Sequence, residues 1–293
     1  MRRWTSIARA TALEILSEPL SLLLLLAALT MTTMAPAFHC HQFGEPTRMA
    51  RDAGFSAQLL GGVLVAVFGT VRTFRREIET GTVQMALVHP VSRTAFFLSK
   101  AAGAFAACLV FGLVIVLTSM TIVNGAAIGG VVAQGNGDLA RIWGPSLAIG
   151  VATMLVPLAL SAALNRLFRC RFVLTFFLLS LLMSVAGFLY RIDLHLVSRM
   201  APVAVTIELA IVAFLALSAA SAVRLRANGA VSVAAVFLCA SAPFIGNYYL
   251  PDALSKGGEL PWRHVAMAAL AVAPAVAAFL LAGVGFCKGK DLS

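Results

Sequence analysis

The charged residues that could do chemistry in this chain are concentrated in one stretch, from Val71 to Arg93, between two long apolar segments. The stretch begins with three arginines and two glutamates, which are Arg72, Arg75, Arg76, Glu77 and Glu79. Gly81 then permits a bend that a β-carbon would hinder, Thr82 is suited to cap a short helix, and Pro90 ends that helix. The apolar residues between Thr82 and Pro90 have no obvious partner within so small a polar insert. The pattern predicts a short amphipathic helix that rests on lipid or docks on another protein.

The composition explains why this insert must lie at a membrane face. Of the 293 residues, 60% are hydrophobic and 12% are charged, and the mean hydropathy is +0.94. Soluble domains carry about 25% charged residues, so the chain is predicted to be a polytopic membrane protein. Apolar runs of about 20 residues suit transmembrane helices rather than the shorter strands of a barrel. The predicted fold is an all-α helical bundle that forms one transmembrane domain over residues 1–293.

The hydropathy pattern predicts eight transmembrane helices. Their predicted positions are 19–38, 55–73, 95–123, 144–165, 172–190, 203–222, 229–250 and 264–286. A six-span alternative would treat the two segments within 203–250 as a loop, which would leave many apolar residues in water. Because the basic sequence VRLRANG separates those two segments, eight spans are the preferred arrangement.

The distribution of basic residues orients these spans. The net charge is +10, and with the N-terminus inside the cell the inner segments hold roughly twice as many Lys and Arg residues as the outer ones. Both termini are therefore predicted to be cytoplasmic, in the inner membrane of a bacterial cell. The positive-inside bias also accounts for the basic charge without a nucleic-acid partner.

Residues 1–18 combine arginines with apolar residues at helical spacing, and Trp4, Ile7, Leu13 and Leu16 can form one face. This pattern predicts a helix that lies in the membrane interface among the lipid headgroups. A signal peptide is the competing interpretation, because an apolar run is followed by Ala-Pro-Ala. The long polar lead before that run favours a retained anchor.

The sequence from Arg75 to Lys100, RREIETGTVQMALVHPVSRTAFFLSK, resembles the signature of the ABC-2 type permeases, the membrane subunits of one class of ABC transporter. That signature reads Arg-Glu-x-Glu-x-Gly-Thr, a short apolar helix, Pro-x-Ser-Arg, and a Lys that enters the next span. The matching residues are Arg76, Glu77, Glu79, Gly81, Thr82, Leu87, Pro90, Ser92, Arg93 and Lys100. His89 departs from the pattern, because a small polar residue often precedes this proline.

The resemblance implies that residues 74–93, between the second and third spans, form a cytoplasmic coupling region. In the family this region seats in a groove of a separate ATPase subunit, where Glu77 and Glu79 would meet polar or basic groups and Leu87 would fill the cleft. The implied function is that of a permease subunit which forms the substrate pathway, with export as the direction. The implied permease partner is a second copy or a related chain.

No phosphate-binding loop of the form Gly-x-x-x-x-Gly-Lys-Ser/Thr occurs in the sequence. The chain is therefore not expected to be an enzyme or to hold a cofactor, and ATP with its magnesium would be bound by the partner subunit. An ATP-independent, ion-coupled carrier is the alternative function, although it favours several charges inside the membrane. A structural subunit that anchors other proteins is the third alternative.

Two further groups of residues are candidates for binding. Glu208 is a carboxylate within a predicted span, near its outer end, and it could contact a substrate or a proton. His39, Cys40 and His41 follow the first span and offer imidazole and thiolate ligands for copper or zinc. Because adjacent ligands alone do not easily close one tetrahedral site, an incidental loop is the favoured interpretation of these three.

Overall fold

The structure, a computed structural model, describes residues 2–35, 46–79, 92–133, 139–190, 193–225, 227–244 and 261–289. Within those ranges all regular structure is helical, as the sequence predicted. The elements in chain order are α1 (Arg2–Leu16), α2 (Pro19–Met34), α3 (Pro46–Leu64), a π-helical turn (Val65–Gly69), α4 (Thr70–Glu79), α5 (Arg93–Ala133), α6 (Leu139–Phe168), α7 (Phe172–Tyr190), α8 (Leu194–Arg224), α9 (Ala227–Phe244) and α10 (Trp262–Gly289).

Six helical segments in the described part of the chain are long and apolar enough to cross a membrane. They are Ala50–Glu77, Arg93–Gly125, Ala148–Phe168, Phe172–Tyr190, Leu194–Arg224 and Trp262–Cys287. Each of the six overlaps one of the predicted spans. The predicted span 19–38 contains α2, which meets the criterion only when it is joined to the bent helix before it, giving seven. The predicted span 229–250 contains most of α9, which is not among the six.

The break between α1 and α2 is caused by Pro19. A residue that precedes proline is pushed out of the helical region into an extended conformation, and Glu18 has φ −73° and ψ 137°. Pro19 then occupies the first turn of α2, where its missing N–H costs nothing. The amide of Leu22 donates to the carbonyl oxygen of Glu18 at 3.3 Å, so the new helix begins at once.

The span Ala50–Glu77 is not a regular α-helix throughout its length. Residues Val65–Gly69 form a single π-helical turn, in which one residue more than usual is fitted into the turn. At the end of that turn the amide of Thr70 lies within reach of the carbonyl oxygens of both Ala66 and Val67. Regular α-helix resumes in α4, which carries the charged residues at the end of the span.

The chain forms two compact units, each built from separate stretches of sequence. One unit comprises Met1–Ile15, Val63–Cys108 and Glu208–Ser293. Its buried core joins aromatic residues to small ones and consists of Val71, Phe74, Phe97, Ala219, Ala222, Val223 and Ala230. The rings of Phe74 and Phe97 lie 5.4 Å apart at 59°, a favourable tilted arrangement. A Cβ at Gly283 would collide with the ring of Phe97, so α10 approaches α5 closely at that glycine.

The other unit comprises Leu16–Gly62 and Leu109–Ile207. Its core consists of Ala50, Phe55, Met120, Ile122, Val123, Met200 and Ala204. Several buried hydroxyl groups in this unit bond to the carbonyl oxygen one turn earlier, as Thr32 does to Ala28 at 2.8 Å. The hydroxyls of Thr118 and Ser184 also share a hydrogen bond of 2.9 Å between helices α5 and α7. Such bonds satisfy polar groups that lipid could not.

Candidate functional site

Helix α4 places the charges of the predicted coupling region. Val71 and Phe74 are buried in the core, and Arg72 and Arg76 are exposed on the other side of the helix. A spacing of three residues brings Val71 and Phe74 to one face. The helix therefore ends its span with one face fixed in the protein and a cationic face directed outward.

Lys100 lies at the centre of this region. Its side chain is 2% exposed, and its Nζ is 2.7 Å from the Oε2 of Glu77. The same ammonium donates to the backbone carbonyl oxygen of Thr73 at 3.1 Å. The rings of Phe74 and Phe96 lie around it, with centroids at 5.1 Å and 5.5 Å from Nζ, distances that allow cation–π attraction. The signature gives this residue as a Lys that enters the next span, and the structure adds that its side chain is buried.

A second ion pair ties α1 to α4. The Nη1 of Arg76 is 3.6 Å from the Oε1 of Glu14, and the two side chains are 67% and 28% exposed. An exposed pair of this length contributes little by itself. Its significance is positional, because Glu14 brings the first helix to the same cluster as Glu77 and Lys100.

Close packing holds α1 more firmly than this ion pair does. A Cβ at Gly103 of α5 would meet the carbonyl oxygen of Ala8, and one at Gly69 would meet Ile15. Thr11 and Ile15 are buried, whereas Trp4 is exposed. One side of α1 is thus packed against protein, so the helix has only its remaining surface for lipid.

Helix α5 begins directly after an N-capping serine. Ser92 precedes the helix, and its Oγ accepts a hydrogen bond from the amide of Ala95 at 3.2 Å, the usual geometry of a serine N-cap. The adjacent guanidinium of Arg93 donates to the carbonyl oxygen of Cys287 in α10 at 3.5 Å. The Ser-Arg part of the signature therefore has a structural basis: Ser92 caps the start of the helix, and Arg93 bonds it to α10.

The structure covers part of the predicted coupling site. Arg76, Glu77 and Arg93 are described with their side chains, and Glu79 is described as the last residue of α4. Gly81, Thr82, Leu87 and Pro90 lie outside the described residues. Sequence reasoning did not assign roles to Glu14 or to a buried Lys100. The only available signal was that Glu14 is the sole acidic residue among the basic and apolar residues of the first helix.

Glu208 lies near the middle of helix α8. The helix begins at Leu194 and continues through Pro202, so it starts before the predicted span 203–222. The helix accommodates the proline, and Thr206 Oγ1 bonds to the carbonyl oxygen of Pro202 at 2.8 Å. The Oε1 atom of Glu208 is buried. An ionisable group at this depth is costly unless it is compensated.

The metal-binding candidates His39, Cys40 and His41 lie outside the described residues. In the part of the chain that the structure describes, no three His, Cys, Asp or Glu side chains are grouped so that they could hold a metal ion.

A second basic region joins α6 to α7. Arg166, Arg169 and Arg171 are exposed, and so are Leu167 (73%) and Phe168 (70%) between them. Arg169 has φ 54°, a left-handed conformation common just after a helix ends. Only three residues connect the two spans, so this connection lies at a membrane face with its charges outward.

The six candidate spans and the all-helical fold define a multi-pass helical membrane protein. Residues 8–187 match the family model described as ABC-2 family transporter protein. The match covers more than half of the chain, including the second half of α1, the charged end of α4 and the start of α5. The chain therefore belongs to the ABC-2 family of transporters, as the signature indicated, and is a permease of that type. No curated protein and no solved structure matches the chain.

Proposed function

We propose that this chain is the membrane subunit of an ABC transporter, in which it forms the substrate pathway and couples that pathway to ATP hydrolysis on a separate ATPase subunit. The observation that carries the proposal is the family match over residues 8–187. It includes the charged ends of α4 and α5, where an ordered side-chain cluster supports the signature. Because the sequence contains no phosphate-binding loop, the proposal places ATP and magnesium on the partner subunit.

The proposed docking region is residues 74–93. It comprises Arg76, Glu77, Glu79, Gly81, Thr82, Leu87, Pro90 and Arg93, acting as contacts or as supports of the docking surface. Both ends of the region are anchored in the same compact unit, through Glu77 at the end of α4 and through Ser92 and Arg93 at the start of α5. Anchored ends allow a movement of the ATPase to reach the spans instead of being absorbed by a loose loop.

The proposed membrane topology is the one predicted from the hydropathy and charge of the sequence. It has eight spans, with α2 and α9 as the two beyond the six, an N-terminal interfacial helix, and both termini in the cytoplasm of a bacterial cell. Two permease chains, identical or related, would enclose the substrate pathway, and export is the proposed direction. Glu208 is the proposed polar contact along that pathway, since it is an acid near the middle of a candidate span.

The docking proposal is tested by copurification of the tagged chain with the ABC ATPase subunits of the same organism. Leu87→Asp should abolish copurification, because a carboxylate in an apolar cleft would be buried without a partner. The matched control is Leu167→Asp, which alters a leucine that is 73% exposed on another connection and should leave copurification intact. Equal binding by both variants would contradict docking through residues 74–93. Failure of the wild-type chain to bind any ATPase would contradict the proposed function itself.

A further inference from the structure

The two acidic residues of the signature, Glu77 and Glu79, are assigned the same docking role by the resemblance, but the structure gives Glu77 a partner within its own chain. Its carboxylate contacts an ammonium group that is 2% exposed. A charge removed from water is costly unless an opposite charge and hydrogen bonds compensate it. Lys100 therefore requires Glu77 whether or not another protein is bound.

The remaining contacts of Lys100 support this requirement. An ammonium group has three donors, and here one is directed to Glu77 and another to the carbonyl oxygen of Thr73. Because Thr73 precedes Glu77 by one helical turn, both acceptors belong to the same edge of α4. The rings of Phe74 and Phe96 close around the ammonium and exclude water, which strengthens the pair.

The position of this pair in the sequence gives it a mechanical role. Glu77 is near the end of α4 and Lys100 is in the second turn of α5, so the pair joins the helices that enter and leave the docking region. A bond at this point fixes the spacing of the two helix ends. Without this bond, the two helix ends could shift relative to each other, and movement of the docking region would not be transmitted to the spans.

We infer that Glu77 is a positioning residue and not a contact for the ATPase: together with Lys100 it forms an internal clasp that holds the two ends of the docking region. The clasp is the Glu77–Lys100 ion pair with the Thr73 carbonyl oxygen. The inference rests on the proposed function for the meaning of the docking region, although the clasp itself belongs to this chain alone. Glu79 keeps the docking role that the resemblance implies.

The first experiment measures thermal unfolding of the purified permease in lipid nanodiscs, without any ATPase. Glu77→Gln preserves the shape of the side chain and removes the charge, so the midpoint should fall clearly below that of the wild type. Arg169→Gln, at the exposed connection between α6 and α7, is the control and should leave the midpoint unchanged. A contact made only with a partner cannot affect the isolated chain. Unchanged midpoints in both variants would overturn the clasp.

The second experiment compares Glu77→Gln with the double variant Glu77→Leu, Lys100→Met in ATPase binding. Replacing both members of a buried ion pair by apolar residues restores stability in many cases, whereas removing one member does not. The double variant should therefore recover the unfolding midpoint and bind the ATPase within about twofold of the wild type, as expected when no interface contact is lost. Loss of about tenfold or more in the double variant, with its midpoint restored, would place Glu77 in the interface.

The two experiments separate failure of the clasp from failure of the proposed function. If the wild-type chain binds no ATPase, the proposed function fails, and the unfolding measurements still decide whether the clasp exists. If the ATPase binds and the double variant keeps the low midpoint of Glu77→Gln, the ion pair is not the interaction that holds the two helices. That result would overturn the inference while leaving the docking proposal in place.

Discussion

Two basic regions of this chain use their charges in opposite ways. Around Lys100 the positive charge is buried, paired with Glu77 and enclosed by aromatic rings. At the connection between α6 and α7, Arg166, Arg169 and Arg171 are exposed, and the structure records no ion pair for them among the described residues. Positive charge at the end of a span can therefore orient a helix in the membrane or join two helices, and burial distinguishes the two uses.

The largest effect should come from breaking the buried pair. Glu77→Gln removes the nearest counter-charge of the Lys100 ammonium, and this should cost about 3 kcal/mol. For a chain of 293 residues that loss corresponds to a fall of roughly 5 °C in the unfolding midpoint. The unfolding midpoint would be measured by tryptophan fluorescence of the chain in nanodiscs. Arg169→Gln at the exposed connection is the comparison, and a similar fall in that variant would remove the distinction between the regions.

The next effect concerns the packing of α1 in the Lys100 region. Gly103→Ala would place a Cβ against the carbonyl oxygen of Ala8, and such overpacking costs about 1–3 kcal/mol. Gly285→Ala in α10 is the control, because its Cβ would meet nothing within 4 Å. The control should be neutral or more stable by up to about 1 kcal/mol, through a less flexible unfolded chain. If both variants unfold at the same temperature, α1 is not held as tightly as the structure indicates.

A smaller effect is expected for Glu14→Gln. The pair of Glu14 with Arg76 spans 3.6 Å between partly exposed side chains, so its loss should cost about 0.5 kcal/mol. Added salt should reduce the difference between wild type and variant, because ions screen exposed charges. The difference for Glu77→Gln should persist in the same salt. Salt dependence in both variants would mean that water reaches Lys100.

The smallest effect on stability should occur at the exposed connection. Substitution of Arg166, Arg169 or Arg171 by Gln should change the free energy of unfolding by less than about 0.5 kcal/mol each.

The neighbouring thiol of Cys170 is exposed and that of Cys108 is buried. A membrane-impermeant maleimide should therefore label a variant that retains only Cys170, and should do so in inverted vesicles but not in intact cells. Labelling in intact cells would reverse the proposed orientation.

The sequence predicted the spans well because lipid imposes a local rule: a helix that crosses it must be apolar along about 20 residues. Six of the eight predicted spans reach that standard in the described residues. Helix α8 begins before the predicted span 203–222, because it continues through Pro202 to Leu194. Glu208 is therefore near the middle of the helix, although it is near one end of the predicted span.

The candidate site was predictable only as a set of residue types. The signature identified Glu77 and Lys100 without indicating that they meet, since periodicity reports on neighbours within one helix and the pair joins two helices. The burial of Lys100 depends on Phe74 and Phe96, which read as ordinary apolar residues in the sequence. Ser92 is the exception, because a serine directly before a helix is a local signal that can be recognised.

The π-helical turn at Val65–Gly69 changes the direction in which the side chains of α4 point around the helix axis. Each residue of an α-helix advances the direction of the side chains by about 100°, so the additional residue of the turn rotates α4 by that amount relative to an uninterrupted helix. Thr73 and Glu77 face Lys100 in this rotated phase. An uninterrupted α-helix over the same residues would turn both acceptors away from the ammonium.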